Sequence, residues 1–513
     1  MPNKKKGKKK LSTKAAVAMP EISVAASKRE ETKQLDDVSC LLFGPSDGDT
    51  LPFDLPYIGP IELVDQRYSG ENENQVVHGR GLIVTRDVLP GECLFVTLAI
   101  VSTPVDEVHR RFVELHNGEY SVNDTSSSGY GRELEDITES FLVEQIQTFC
   151  KERDTEDVDF MQRTFDSFVS QMSSEDVPSA ELDVILADVS LHSDKNVNME
   201  LEEETIVNII RRNAFGPDYH NYDTIADYWT KNADTIQEPA YNRLLGVYPL
   251  AAMINHSCSP NAIRIFGTIP ASIKTKPLQG REVMIVHASV PMKKGTEVMW
   301  SYLPPTTPFN ARHEMLESKY GFSCQCNRCV CEKKAMDGRE FDQIAKQNID
   351  DSSLPKIIQI LEAAFISNSI SSEAQRYLRV GYASIYMQYF NAALASPNST
   401  ESNDVLSNLL KLAMQLHFSF VSCNNASTEH LSILHLCYEL ASSMHTRAMT
   451  FFPDTTNTTM SQVRFWTEQL KKAHMIRFGS LGENLETVRN VMKHSRAVLR
   501  NRGGWYAVKD KFI

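Results

Sequence analysis

No apolar run in this 513-residue chain approaches the roughly 20 residues that a bilayer crossing needs. The lysine-rich start also lacks the apolar stretch of a secretory signal. Membrane and secretory destinations are therefore not expected, and nucleus, cytoplasm or both are. Positive charge is scarce beyond the first residues. Residues 1–14 hold seven lysines and no acid, so the net charge of −13 leaves −20 on the rest. A body that acidic is a poor non-specific binder of nucleic acid, whose affinity rests on neutralising phosphates. Only the run from Lys4 to Lys10 offers a weak contact, and otherwise it reads as a solvated tail or a nuclear address. The acidic body suits a basic partner instead. Ten cysteines in 513 residues are too few for a disulfide scaffold, and no Gly-x-Gly-x-x-Gly opens a helix as a dinucleotide site requires.

What remains is a globular composition, 42% apolar and 23% charged, long enough for two to four domains. From about Tyr57 to Thr103 short apolar runs (Ile61–Val64, Gly81–Thr85, Cys93–Val96) alternate with glycine and proline turns, which predicts short strands. Residues 132–204 carry 21 acids against 5 bases. Within them Phe141, Leu142, Ile146 and Phe149, then Phe160, Phe165, Phe168 and Val169, recur at helical spacing. Strand texture returns from about Tyr248 to Tyr302. From Asp342 to Asn501 nearly every segment is helical, with joints at Ser371-Ser372, Asn424-Asn425 and Gly479–Gly482. An array of packed helix pairs is expected there, without a strict 34-residue repeat.

Four of the ten cysteines fall within eight residues: Cys324, Cys326, Cys329 and Cys331. Cys324-x-Cys-x-x-Cys329 places three thiols on a knuckle-like loop, as tetrahedral zinc requires. The fourth ligand is either Cys331 or Cys258, far back in Asn255-His-Ser-Cys-Ser-Pro-Asn261. With Cys258, the metal would tie the C-terminal loop onto that segment. Three other motifs are individually weak. His78-Gly-Arg-Gly-Leu82 reads first as a tight turn, although its glycines allow close approach to a ligand and Arg80 can meet a carboxylate. Asn255-His256 ends the apolar stretch from Val247, where polar residues are ordinarily caps. Tyr302 closes Gly295-Thr-Glu-Val-Met-Trp-Ser-Tyr302, where packing alone is the ordinary explanation.

Taken in order, Gly79-Arg-Gly-Leu82, Asn213-Ala-Phe215, Asn255-His-Ser-Cys-x-Pro-Asn261, Gly295-x-Glu-Val-x-x-Ser-Tyr302, Arg312-x-x-x-Leu316 and Tyr320-Gly-Phe-x-Cys-x-Cys-x-x-Cys329 resemble the SET-domain protein-lysine methyltransferases. The SET-and-MYND group is the most similar. The resemblance covers about residues 57–331 and, more faintly, the helical C-terminus, which is similar to that group's tetratricopeptide-like domain. It implies an α+β fold: a disordered lysine-rich tail (1–55), a first SET part (56–103), an acidic helical insert (104–204), core SET (205–310), a post-SET zinc loop (311–335) and an all-α C-terminal domain (340–513).

The implied activity is methyl transfer from S-adenosylmethionine to lysine in a protein substrate such as a histone. His78, Gly79 and Arg80 would line the cofactor site, with Arg80 near the methionine carboxylate. Asn213, Asn255 and His256 would hold the cofactor by hydrogen bonds, and Tyr320 and Phe322 would flank the adenine and the lysine channel. Tyr302 would stand at the methyl-transfer point, and Cys258, Cys324, Cys326 and Cys329 would bind structural Zn2+. Two departures stand out. Histidine occupies position 78, where the family often has lysine. The MYND zinc finger is absent, because Cys150 is the only cysteine between Cys93 and Cys258. Two rival readings are a catalytically inactive SET-derived scaffold working through its helices, and a zinc-ribbon nucleic-acid binder. Intact Asn255, His256 and Tyr302 oppose the first, and the charge of the body opposes the second.

Overall fold

A computed structural model of the chain describes residues 57–65, 80–99, 101–103, 140–147, 206–207, 210, 214–215, 245–268, 282–336, 341, 352–366, 370–395 and 402–478. The chain divides into two units, Met1–Gln34 and Leu35–Ile513, and every described residue belongs to the second. Eleven short strands are found among them: β1 (Tyr57–Ile58), β2 (Ile61–Asp65), β3 (Arg80–Val84), β4 (Cys93–Leu98), β5 (Val101–Thr103), β6 (Ala214–Phe215), β7 (Leu245–Val247), β8 (Asn255–His256), β9 (Ala262–Thr268), β10 (Glu282–Ala288) and β11 (Met299–Trp300).

The central element is an antiparallel sheet in the order β1-β4-β10-β9. Its register sets Ile285 opposite Val96 on one side and Ile265 on the other. Strands β4 and β10 are apolar on both faces, as a sheet covered on both sides must be. Cys93, Val96, Leu98, Ile263, Ile265, Val283 and Ile285 join the core of the C-terminal helices. Leu94, Phe95, Ala262, Phe266, Met284, Val286 and Ala288 face the other way, toward Leu82, Val84, Val298 and Trp300. The alternation of side chains along a strand thus makes one sheet the shared wall of two cores. Smaller pairings complete the β part: β2 with β3, β5-β7-β6, and β8 with β11.

Nine helices are described after β7: α1 (Pro249–Ala252), α2 (Phe309–Tyr320), α3 (Asn327–Met336), α4 (Leu354–Phe365), α5 (Ser372–Gly381), α6 (Ala383–Ala395), α7 (Asn403–Cys423), α8 (Thr428–Phe451) and α9 (Thr456–Phe478). Their apolar spacing explains them. In α4, Leu354, Ile357, Ile358, Leu361 and Phe365 are all buried, one stripe of a 3.6-residue period. Ser371 caps α5 by accepting from the Ala374 N–H at 3.1 Å, and Ser427 caps α8 by accepting from the His430 N–H at 3.1 Å. Both joints expected at Ser371 and Asn424 fall between helices. In the segment expected to be an acidic helical insert, residues 140–147 are helical, and the second apolar series there lies outside the described residues, as do the lysine tail and the Gly479–Gly482 joint.

The expected zinc loop over 311–335 differs. It is mostly helix, α2 and α3, with only Gly321–Cys326 between them. Gly321 ends α2 in the left-handed region at φ 72°, a conformation glycine adopts without steric cost. Cys329 therefore sits on the first turn of α3.

The helical core buries several histidines. His287 Nδ1 lies 2.9 Å from the Arg477 carbonyl. His430 Nδ1 accepts the Ala426 N–H at 3.0 Å, so its Nε2–H donates to His417 Nδ1, 2.9 Å away. Burial holds His287 and His417 down to about 4 and His474 to about 3. The unfolded chain takes up these protons near pH 6.5, whereas the folded chain resists until the lower values. Stability is therefore full above pH 6.5 and is lost as pH falls toward 4, at about 1.4 kcal/mol per pH unit for each histidine. Urea midpoints measured from pH 7 to 4.5 should fall steadily, and His417→Gln should flatten the profile. A pH-independent midpoint over that range would contradict this account.

Candidate active site and cysteine centre

Strand β8 carries two of the sequence-predicted residues, Asn255 and His256. It pairs in parallel with β11, Met299 opposite Asn255 and Trp300 opposite His256. The turn after β8 is pinned to β11 by Asn261. Its Nδ2 donates to the Glu297 carbonyl at 2.7 Å, and its Oδ1 accepts from the Met299 N–H at 2.8 Å. The Glu297 carboxylate accepts from Asn255 Nδ2 at 2.7 Å, fixing which way that amide faces. Strand β3 lies alongside, joined by the Val298 N–H to the Leu82 carbonyl at 2.7 Å. This brings Gly81 against Glu297 and Asn255. A Cβ at position 81 would lie 2.7 Å from Glu297 Oε1 and 3.0 Å from Asn255 Nδ2, which explains the glycine. Neither Asn261 nor Glu297 was assigned a role by sequence reasoning, although both end or interrupt quoted motifs. Their partners are 36 to 42 residues away, and spacing alone carries no such signal.

Four rings converge beside β8. Tyr302 lies 5.0 Å from His256 and 5.0 Å from Tyr320 between ring centroids. Phe322 lies 5.8 Å from His256 and 6.4 Å from Tyr302. The Tyr302 hydroxyl points inward and donates to the Ile254 carbonyl at 2.8 Å. Burial, reinforced by neighbouring Tyr320, pushes its pKa up, so the hydroxyl stays protonated at neutral pH. Tyr320 is pushed up by burial as well. The Tyr302 N–H donates to His256 Nδ1 at 3.0 Å, which leaves Nε2 to carry the proton toward Cys258 Sγ, 3.1 Å away.

His256 therefore joins the ring cluster to the cysteines. The sulfurs of Cys258, Cys324, Cys326 and Cys329 all lie within 4.8 Å of one another. Sulfurs bound tetrahedrally about 2.3 Å from a zinc ion are separated by about 3.8 Å, so the donor set fits zinc in number, type and spacing. Hydrogen bonds within the cluster, led by those with Cys258, hold the Cys324 and Cys326 thiols down, and the same sharing pushes Cys258 and Cys329 up. Cys331 stands apart, half-buried, its sulfur 3.8 Å from Asn327 Oδ1.

The other predicted residues are placed less fully. Arg80 begins β3 opposite Asp65. His78, Gly79 and Asn213 lie outside the described residues, although Ala214, next to Asn213, begins β6. Phe266 on β9 is buried in the core against Tyr248, 5.8 Å away between ring centroids.

Residues 79–303 match the SET domain family. Histone-lysine N-methyltransferase ASHR2 of Arabidopsis thaliana is 34% identical over 98 residues, covering 19% of this chain and 23% of that protein. N-lysine methyltransferase SMYD2-B of Danio rerio is 26% identical over 184 residues, 34% of this chain and 39% of that one. The human SMYD2 is 30% identical over 105 residues, 20% and 21% of the two chains. The chain thus spans well under half the length of these relatives. Among solved structures, the SET domain of LSMT bound to lysine and AdoHcy is 13% identical, covering 84% of this chain and 94% of that one with a TM-score of 0.23. Residues 79–303 are a SET domain, related to those of the SMYD-like and ASHR lysine methyltransferases.

Proposed function

We propose that this protein is an S-adenosylmethionine-dependent protein-lysine methyltransferase, with a structural zinc in its post-SET segment and a tetratricopeptide-like helical C-terminus. The observation that carries the reading is the convergence of His256, Tyr302, Tyr320 and Phe322, drawn from three separate stretches of chain, around one inward-facing tyrosine hydroxyl. The cofactor supplies a methyl group already activated on a sulfonium. What the chain must add is a neutral lysine amine and its alignment. Free lysine titrates near 10.4, so forming the neutral amine at pH 7 costs about 4.6 kcal/mol. A poorly hydrated wall of aromatic rings disfavours the ammonium and recovers part of this. No carboxylate base is then demanded. Tyr302 already donates to Ile254, so its oxygen keeps acceptor capacity toward an amine N–H or a polarised methyl.

Asn255 and His256 are the described residues that would hold the cofactor, with His78, Gly79, Arg80 and Asn213 assigned by resemblance. Cys258, Cys324, Cys326 and Cys329 would hold zinc in a purely structural role, keeping Tyr320 and Phe322 beside Tyr302. The acidic body supports a lysine-rich substrate such as a histone tail. Nucleus and cytoplasm are both proposed as locations. Among the described residues no helix is long and apolar enough to cross a membrane.

Radiolabelled methyl transfer onto core histones and a whole-cell lysate, followed by mass spectrometry of the labelled residue, tests the reading. Label on lysine side chains supports it; no label on any protein removes it. Gly81→Ala offers a finer check. The added methyl must displace Glu297 or Asn255, so cofactor affinity by calorimetry should fall about ten-fold, equivalent to about 1.4 kcal/mol.

A further inference from the structure

Three charged side chains lie in the interior beside the cysteine centre. Arg312 and Arg328 are wholly buried and Glu332 is 1% exposed. Glu332 bridges the two: it pairs with Arg312 Nη2 and accepts from Arg328 Nε at 3.1 Å. The cluster therefore carries one net positive charge in a place where an unbalanced charge is costly. Arg312 Nη1 donates to the Thr307 carbonyl at 2.6 Å while Arg312 Nε and Arg328 Nη2 have no hydrogen-bond partner, and a neutral carbonyl leaves the excess charge in place. Arg328 Nη1 does something more specific. It donates to the Cys258 carbonyl at 3.2 Å and reaches Cys423 Sγ, also at 3.2 Å, at the end of α7. Its neighbour Asn327 donates to Glu373 at 2.6 Å and Tyr377 at 3.2 Å on α5.

A divalent ion held by four thiolates has a formal charge of −2. We propose that Arg328, with Arg312 and Glu332, is the counter-charge of the four-cysteine centre and the tie that couples it to helix α7, while the neighbouring Asn327 holds α5. This rests on the zinc reading above. Through the Cys258 carbonyl, Arg328 is a positioning residue for the Asn255–Cys258 segment. It touches none of the reacting atoms. The helical region is then more than a cover for the sheet, because its α7 end shares a donor with the backbone of a metal ligand.

The test is metal release from the full chain into a colorimetric chelator, preceded by a measurement of zinc content. Arg328→Met should release zinc about ten-fold faster or more, the scale on which partners surrounding metal ligands act. Arg328→Lys, which keeps charge but loses the fork, should fall between it and the wild type. Leu378→Ala, a cavity variant at a buried apolar position on α5, should lower the melting temperature without speeding release. If Arg328→Met does not fold, Arg328→Lys decides alone. Release at the wild-type rate in the Arg328 variants, or equal acceleration by Leu378→Ala, overturns the proposal while leaving zinc in place. A wild-type protein that contains no zinc overturns the zinc reading itself, and this proposal with it, before any variant is compared.

Discussion

Tyr302→Phe is expected to lower methyl transfer about a hundred-fold or more, the scale of a lost transition-state hydrogen-bonding group, while cofactor affinity stays within a few-fold. The substitution removes one oxygen and leaves the ring, so its contacts with His256, Tyr320 and Phe322 persist. What disappears is the oxygen aimed into the cluster and its bond to the Ile254 carbonyl. That bond contributes about 1 kcal/mol to stability, too little to unfold the chain, so a melting curve separates loss of chemistry from loss of fold. Tyr320→Phe is the matched control. Its ring stands as close to Tyr302 as that of His256, and a smaller loss is expected because its hydroxyl makes no corresponding bond to the Ile254 carbonyl. Initial rates on the best substrate at saturating cofactor decide the matter. Full activity in Tyr302→Phe would remove the tyrosine from its proposed role.

The second large effect follows from removing the metal. Structural zinc sites bind with roughly 10–16 kcal/mol in isolated peptides, and here the four sulfurs join segments up to 71 residues apart. Cys324→Ser, or exhaustive chelation of the wild type, should lower the melting temperature by about 10 °C or more, since a few kcal/mol moves a domain of this size by that amount. Activity should vanish with it, because Tyr320, the last residue of α2, and Phe322 lie within four residues of Cys324. Cys331→Ser is the internal contrast: its sulfur lies outside the cluster, and zinc content should stay at the wild-type level. Elemental analysis alongside scanning fluorimetry reads both. Retained activity in a zinc-free protein would show that the cysteines do not hold the aromatic wall in place.

The helices and the cysteine centre differ in how far they were legible. The stripe Val463, Trp466, Leu470 and Ala473 was readable because a helix buries one face at a fixed period, and the last three of these are buried in α9. The strands around Ile263 and Val283 were equally plain as strands. Which neighbour each face would meet was not, since β4 and β10 are apolar on both faces, Thr97, Glu282 and His287 aside, and give no clean alternation to read. Arg312, Arg328 and Glu332 show the opposite failure. Charged residues in a polar stretch are expected at the surface, and only the packing of α3 against α5, α7 and the Cys258 carbonyl makes them an internal cluster.

Sequence alone determined most of the local conformations described, the helices within 311–335 excepted, and the list of chemically capable side chains. Helical periods, turn glycines and each of the Asn-His-Ser-Cys, Ser-Tyr and cysteine motifs taken singly are written within a few residues of chain. Tertiary structure decided which distant groups meet: Cys258, which residue spacing left open against Cys331 and the resemblance implied, beside Cys324, Cys326 and Cys329; and, with no signal in the sequence, Glu297 on Asn255 and Arg328 on both the Cys258 carbonyl and Cys423. The physical reason is that neighbours along a chain are fixed by bond geometry and local hydrogen bonds, whereas meetings across tens of residues depend on how whole sheet and helix faces are buried together.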